Sequence, residues 1–132
     1  MTMEVCVWHG VGYDSTFVEE PSIDQLTEAV RSLNGGDRND LYVRSSSGEW
    51  MGLGGGPDQV MVTFADGEEG PFYEAVTGAE PSGDMVRIVV GGQGIDLSPH
   101  MLLSPDQAIR AVTEFVASGH RPTNLTWTPQ PH

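Results

Sequence analysis

Only two stretches of this 132-residue chain open with a complete helix-starting signal, and a long run of alternating apolar residues separates them. Ser22 places a hydroxyl where it caps free backbone N–H groups, and Gln25 stands three residues on, as a capping box requires. Ser104 and Gln107 repeat the pattern, with Pro105 at the first helical position, where its missing N–H costs nothing. After Ser22, residues Ile23, Leu26, Val30 and Leu33 recur at spacings of three and four and predict one apolar stripe, with Asp24, Glu28 and Arg31 toward water. Asn34-Gly-Gly36 ends that helix. After Ser104, residues Ala108, Ile109, Ala111, Val112, Phe115 and Val116 predict a broader buried face, stopped by Gly119 and kept from resuming by Pro122.

The rest of the chain reads as strands. Glu4 to His9 has strand composition, with Val5 and Val7 on one face and Cys6 and Trp8 on the other, and Thr16 to Val18 is placed to pair with it. Leu41 to Arg44 and Trp50 to Leu53 flank a serine turn and predict a hairpin. Val60, Val62 and Phe64 alternate strictly, Asp66-Gly67 is a turn, and Phe72 to Val76 returns beside them. Val86, Ile88 and Val90 form another alternating strand, which Gly91 to Gly94 turns into Ile95 and Leu97. Leu125 and Trp127 alternate in a last strand, and Trp127 reads as core. Strands and helices do not alternate regularly, so a doubly wound parallel sheet is not expected. The fold class is α+β: a single mainly antiparallel sheet with two helices packed on it, one domain over residues 1–132, with 129–132 as a frayed tail.

Nineteen acidic residues against six basic ones give a net charge of −13. All six basic residues are arginines, so no lysine is present for a Schiff base, a phosphate loop or a polybasic patch. A surface this acidic repels phosphate backbones, and direct nucleic-acid binding is not expected. Cys6 is the sole cysteine, which rules out an internal disulfide and a cysteine-based zinc cluster. No run reaches the ~18 apolar residues of a membrane span, and Met1 to Trp8 lacks the basic flank of a signal peptide. A reducing cytoplasm is the expected location.

Candidate chemistry is sparse. Gly52-Leu-Gly-Gly-Gly56 suggests a phosphate loop, but Pro57 and Asp58 follow where a lysine and a helix N-terminus are needed. A glycine-rich strand end is the better account. His9, His100, His120 and His132 show no metal spacing, and no cofactor or metal is expected. His120 follows the helix-ending Gly119, where a cation favours the helix dipole. The doublets Glu19-Glu20 and Glu68-Glu69 sit among turn residues and read as solvated carboxylates.

Several segments together resemble a known family. Arg87 to Gln93, Leu103 to Ala108, Glu114-Phe-Val-Ala-Ser-Gly-His-Arg-Pro-Thr123 and Leu125-Thr-Trp127 are similar, in order and spacing, to the first-numbered immunity-protein family of bacterial polymorphic toxin systems. Trp50 to Gly56, the following strand and Asp66-Gly67 extend the likeness, which runs from about Leu26 to Trp127. The resemblance implies a cytoplasmic antidote to a secreted toxin domain, often one of the nucleic-acid deaminase group, and brings no catalytic residues with it.

The physics of charge leads the same way. A toxin acting on nucleic acid needs a basic cleft, and an acidic protein can fill that cleft as a phosphate mimic. The carboxylates of Asp66, Glu68 and Glu69 are the preferred contacts, with Glu19 and Glu20 beside them as further candidates. Trp50 reads equally as an exposed anchor or as a buried residue. Two other classes stand against this reading: a small-molecule-binding or enzymatic domain using the glycine-rich loop with His9 or His100, and a structural, oligomer-forming domain.

Overall fold

The computed structural model describes residues 1–77 and 84–130. Its elements, in order, are β1 (Thr2–His9), β2 (Gly12–Glu19), α1 (Ile23–Arg31), β3 (Asp40–Arg44), β4 (Trp50–Gly55), β5 (Val60–Ala65), β6 (Phe72–Val76), β7 (Val86–Val90), β8 (Gln93–Leu97), a short 3-10 helix (Pro99–Met101), α2 (Pro105–Ser118) and β9 (Thr126–Pro129). Seven strands form one antiparallel sheet in the order β2-β1-β3-β4-β5-β6-β9. The expected architecture of two helices on a mainly antiparallel sheet is the observed one. It is completed by a second sheet, in which, among the described residues, β7 and β8 pair only with each other.

Both capping boxes form. The Ser22 hydroxyl accepts from Gln25 N and the Ser22 amide donates to Gln25 Oε1, and Ser104 and Gln107 make the same pair of bonds. Gly119 ends α2 in the left-handed conformation. The helices lie side by side on one face of the sheet and are tied at the surface by Arg31 to Asp106 at 2.8 Å. Between helices and sheet sits one core: Leu26, Val30 and Leu33 around α1, Ala108, Val112 and Phe115 from α2, and Leu41, Val43, Met51, Leu53, Val60, Val62 and Phe64 from the central strands. Phe64 meets Phe115 edge-on at 5.5 Å and Trp127 at 6.1 Å.

Two local expectations are corrected. Ile23 belongs to the predicted stripe but is 62% exposed. It is the first helical residue, and helical side chains lean toward the N-terminus, so its side chain projects past the end of the packed region. The tail expected from residue 129 is tied down at its start: Pro129 pairs with Tyr73, Gln130 N donates to Phe72 O, and the Gln130 side chain reaches Glu74. Residues 131–132, with His132, lie outside the described residues.

Candidate functional site

Strand alternation divides the side chains of the large sheet between two faces. The face with Leu41, Val43, Met51, Leu53, Val62 and Phe64 is filled by the helices. Among the described residues the opposite face is covered only in part, by the β7–β8 hairpin, and pairing across the strands arranges it in transverse rows. One row runs Glu19, Thr2, Arg44, Trp50, Ala65, Phe72. The next runs Phe17, Glu4, Tyr42, Gly52, Thr63, Glu74, Thr128. Beyond these come Ser15 with Cys6, Asp40 with Gly54, and Tyr13 with Trp8. This open face is therefore aromatic and acidic: Tyr42, Trp50 and Phe72 stand in sequence with ring centroids 6.1 Å apart, and Tyr13 (52% exposed) and Phe17 (61% exposed) lie toward the β2 edge.

The glycines of β4 are explained here. Gly54 faces the hairpin, and a Cβ on it would stand 2.5 Å from Val90 Cγ1 and 3.1 Å from the Asn39 carbonyl oxygen. The hairpin itself closes through Gly91 and Gly92, both at positive φ (62° and 76°), in the two-residue turn that suits the strand twist. Asn39 Oδ1 accepts from Gly92 N, and Gly92 lies against the Trp8 ring. Gly54 thus serves close packing of sheet and hairpin, while Gly52 lies against the Tyr42 and Trp50 rings and Gly55, at φ 130°, lies against the Gln59 carbonyl oxygen, as a glycine-rich strand end would. Its outer end, Gly56 to Gln59, borders an open 230 Å³ depression with Arg87, whose guanidinium is already held by both Asp96 oxygens at 2.9 and 3.0 Å.

Under the hairpin tip, Glu4, Cys6, Trp8, Tyr13, Asp40, Tyr42, Arg44 and Gly91 enclose a cavity of about 410 Å³. Asp40 lies at its base, 3% exposed. Trp8 Nε1 donates to one of its oxygens at 2.8 Å and the Tyr42 hydroxyl to the other at 2.7 Å. Glu4 accepts from Ser15 Oγ at 2.6 Å and pairs with Arg44 at 2.9 Å, and the Arg44 guanidinium sits 5.5 Å above the Tyr42 ring. Burial, reinforced by Asp40, pushes the Cys6 thiol up to about 11, so it stays protonated and unreactive near neutral pH. Burial and the Asp40 contact also raise the Tyr42 phenol.

The residues singled out from sequence fall in two groups. Asp66, Glu68 and Glu69 are exposed on the β5–β6 turn, and no described cation pairs with them. Trp50 is half-buried in the row that ends beside this turn. Glu19 occupies the far end of the same row and accepts from Thr2 Oγ1 at 2.9 Å. Glu20, next along the chain, is exposed and accepts from the Met1 amino group at 3.0 Å. Sequence reasoning missed Trp8, Tyr13, Asp40 and Tyr42. Their signal was phase: on β1 and β3 the aromatics share alternate positions with Glu4, Asp40 and Arg44, the set that faces away from the helices. His9 is exposed at the β1–β2 tip, 2.9 Å from Asp14, whereas His100 contacts Ser98 from the 3-10 helix, so they belong to different elements.

A family model described as Immunity protein Imm1 matches residues 15–129. The chain belongs to the Imm1 immunity protein family. No curated protein matches it. In this Imm1 protein the C-terminal segments that carried the resemblance act as a clasp. Both Glu114 oxygens receive the turn after α2, from Thr123 N and Oγ1 at 3.1 and 2.9 Å and from Asn124 N at 3.3 Å. These bonds hold the Glu114 carboxyl below its ordinary value. Arg121 stacks 4.2 Å over Tyr73, and Trp127 Nε1 donates to the Pro122 carbonyl at 2.8 Å. Those residues fasten β9 to the sheet, and the open face lies elsewhere.

Proposed function

We propose that this Imm1 protein neutralises a cognate toxin domain by binding it through the open sheet face and its carboxylate rim, acting as an occluding partner with no bond-making chemistry of its own. The single observation that carries the reading is the placement, on a protein of an immunity family, of a half-buried aromatic row beside an acidic turn that no described cation neutralises. Half-buried rings flanked by carboxylates are what a tight interface uses: the aromatics contribute buried area, and the charges steer encounter and set register. The net charge of −13 suits a strongly basic target. A nucleic-acid-targeting toxin, a deaminase among others, fits because its substrate cleft must be lined with cations. Asp66, Glu68, Glu69, Glu19 and Glu20 then stand where phosphates would, with Trp50 as the anchor.

Co-expression with the toxin domain encoded beside it tests this. The wild type is expected to restore growth and to co-purify with the toxin at nanomolar affinity or better, about −12 kcal/mol. Reversal of Asp66, Glu68 and Glu69 to Lys is expected to weaken the complex at least tenfold. Full killing in the presence of the wild type would end the immunity reading, whereas unchanged affinity of the reversed variant would move the interface off this rim.

A further inference from the structure

We propose that the cavity beneath the hairpin tip, floored by Asp40 and walled by Trp8, Tyr13 and Tyr42, receives a guanidinium group, namely an arginine side chain of the partner. The inference rests on the reading of this chain as a toxin-binding protein, and it adds a second contact, apart from the Asp66 turn, with a stated ligand chemistry.

Asp40 carries no cationic partner among the described residues. A buried carboxylate is ordinarily paired with a cation, because losing hydration costs more than neutral hydrogen bonds return. Asp40 is nearly fully buried, yet the groups that bond it, Trp8, Tyr42 and the Cys6 thiol, are neutral, and no described arginine or histidine pairs with it. Three neutral donors leave one of the four lone-pair sites of the carboxylate open. The lining groups with formal charge are Asp40, Glu4 and Arg44, and Arg44 is already engaged by Glu4. One negative charge is left over in a cavity that opens to solvent.

The walls select which cation fits. Trp8 and Tyr13 lie 4.7 Å apart between ring centroids, with Tyr42 on the β3 side. Aromatic faces attract cations, and the flat, weakly hydrated guanidinium stacks on them while its fork meets a carboxylate. An ammonium keeps its hydration more tightly and cannot stack. The protein's own Arg44 displays the same chemistry at the rim, paired to Glu4 and lying over Tyr42. At about 410 Å³ the cavity is within the usual ~300–1,000 Å³ of small-ligand sites, roomy enough for a side chain entering from a partner loop.

Titration of the isotope-labelled full chain with N-acetyl-arginine methylamide, followed by NMR, tests this without the toxin. The Trp8 indole N–H is expected to shift saturably in the millimolar range, while the Trp50 and Trp127 indoles stay nearly in place. The matched lysine amide is expected to bind at least fivefold more weakly. Tyr13→Ala, at an exposed position, should weaken the arginine probe about fivefold, as loss of one cation–π contact does. Asp40→Asn should abolish the saturable shift, and if that variant does not fold, Tyr13→Ala decides alone. No saturable shift at Trp8, equal movement of all three indoles, equal binding of the lysine probe, or an unaltered Tyr13→Ala titration would each overturn the proposal. A toxin neutralised by a protein whose cavity ignores the probe refutes only this inference; probe binding without neutralisation refutes only the immunity reading.

Discussion

Glu74 and Glu114 are two carboxylates whose surroundings oppose each other. Glu74 belongs to the open-face row that includes Tyr42 and Thr63, but it is buried, accepting from Thr63 Oγ1 at 3.2 Å and from the Gln130 amide. Burial raises its carboxyl from 4.5 to about 7, and the bonds from Gln130 and Thr63 offset only part of that. A group with a raised folded value keeps its proton longer when folded. The folded state therefore loses stability as pH climbs from about 4.5 to about 7, with the full loss present above that range. Glu114, held low by the bonds from Thr123, does the reverse: its stabilisation is present above the unfolded value near 4.5 and is lost as pH falls through the folded one. Glu74→Gln keeps an acceptor for Thr63 and Gln130 and removes the charge. It is expected to gain about 3 kcal/mol on the wild type near pH 8 and almost nothing near pH 4. Urea unfolding of both proteins at the two pH values measures the difference, and a gap that does not widen with pH contradicts the account.

At the level of elements, the hairpin β7–β8 depends on a side chain that Gly54 lacks. A methyl on Gly54 would collide with Val90, a stiff β-branched residue, and press on the Asn39 carbonyl oxygen. Gly54→Ala is expected to cost about 1–3 kcal/mol, the usual scale of overpacking. Val90→Ala in the same chain should return part of that loss, a coupling that a double-mutant cycle in urea reads directly. Strict additivity would mean that the hairpin does not sit on Gly54. The elements were largely legible beforehand, because Ser22 and Ser104 announce helices chemically and Val60, Val62 and Phe64 announce a strand by period. That β7 and β8 would leave the main sheet was not legible. Their alternation is that of any half-buried hairpin, and the space that admits Val90 is created by a glycine on a strand far away in sequence.

Over the whole molecule, the charge and turn composition that mark Asp66, Glu68, Glu69, Glu19 and Glu20 report exposure but not neighbourhood. That Glu19 and Trp50 share a row, and that Trp50 adjoins the strand pair carrying Asp66, depends on the register of β2, β1, β3, β4 and β5 together. No local pattern encodes that register. For Asp40, Tyr42 and Trp8 the phase of each strand gives the face but not the grouping, since their cavity exists only once β1, β3 and the hairpin tip are assembled. The arrangement predicts a division of labour in the toxin complex. Exposed carboxylates act at a distance, so reversing Asp66, Glu68 and Glu69 to Lys should lower the association rate about tenfold at low ionic strength and flatten its salt dependence, with dissociation changed less. Trp50, half-buried between Tyr42 and Phe72, acts only on contact. Trp50→Ala should leave association nearly unchanged and speed dissociation about tenfold or more, the mark of a lost anchor. Stopped-flow association and chase-dissociation at low and high salt separate the two. If the charge reversal acted wholly on dissociation, or the tryptophan wholly on association, the rim and the aromatic row would not have the roles that their exposure assigns them.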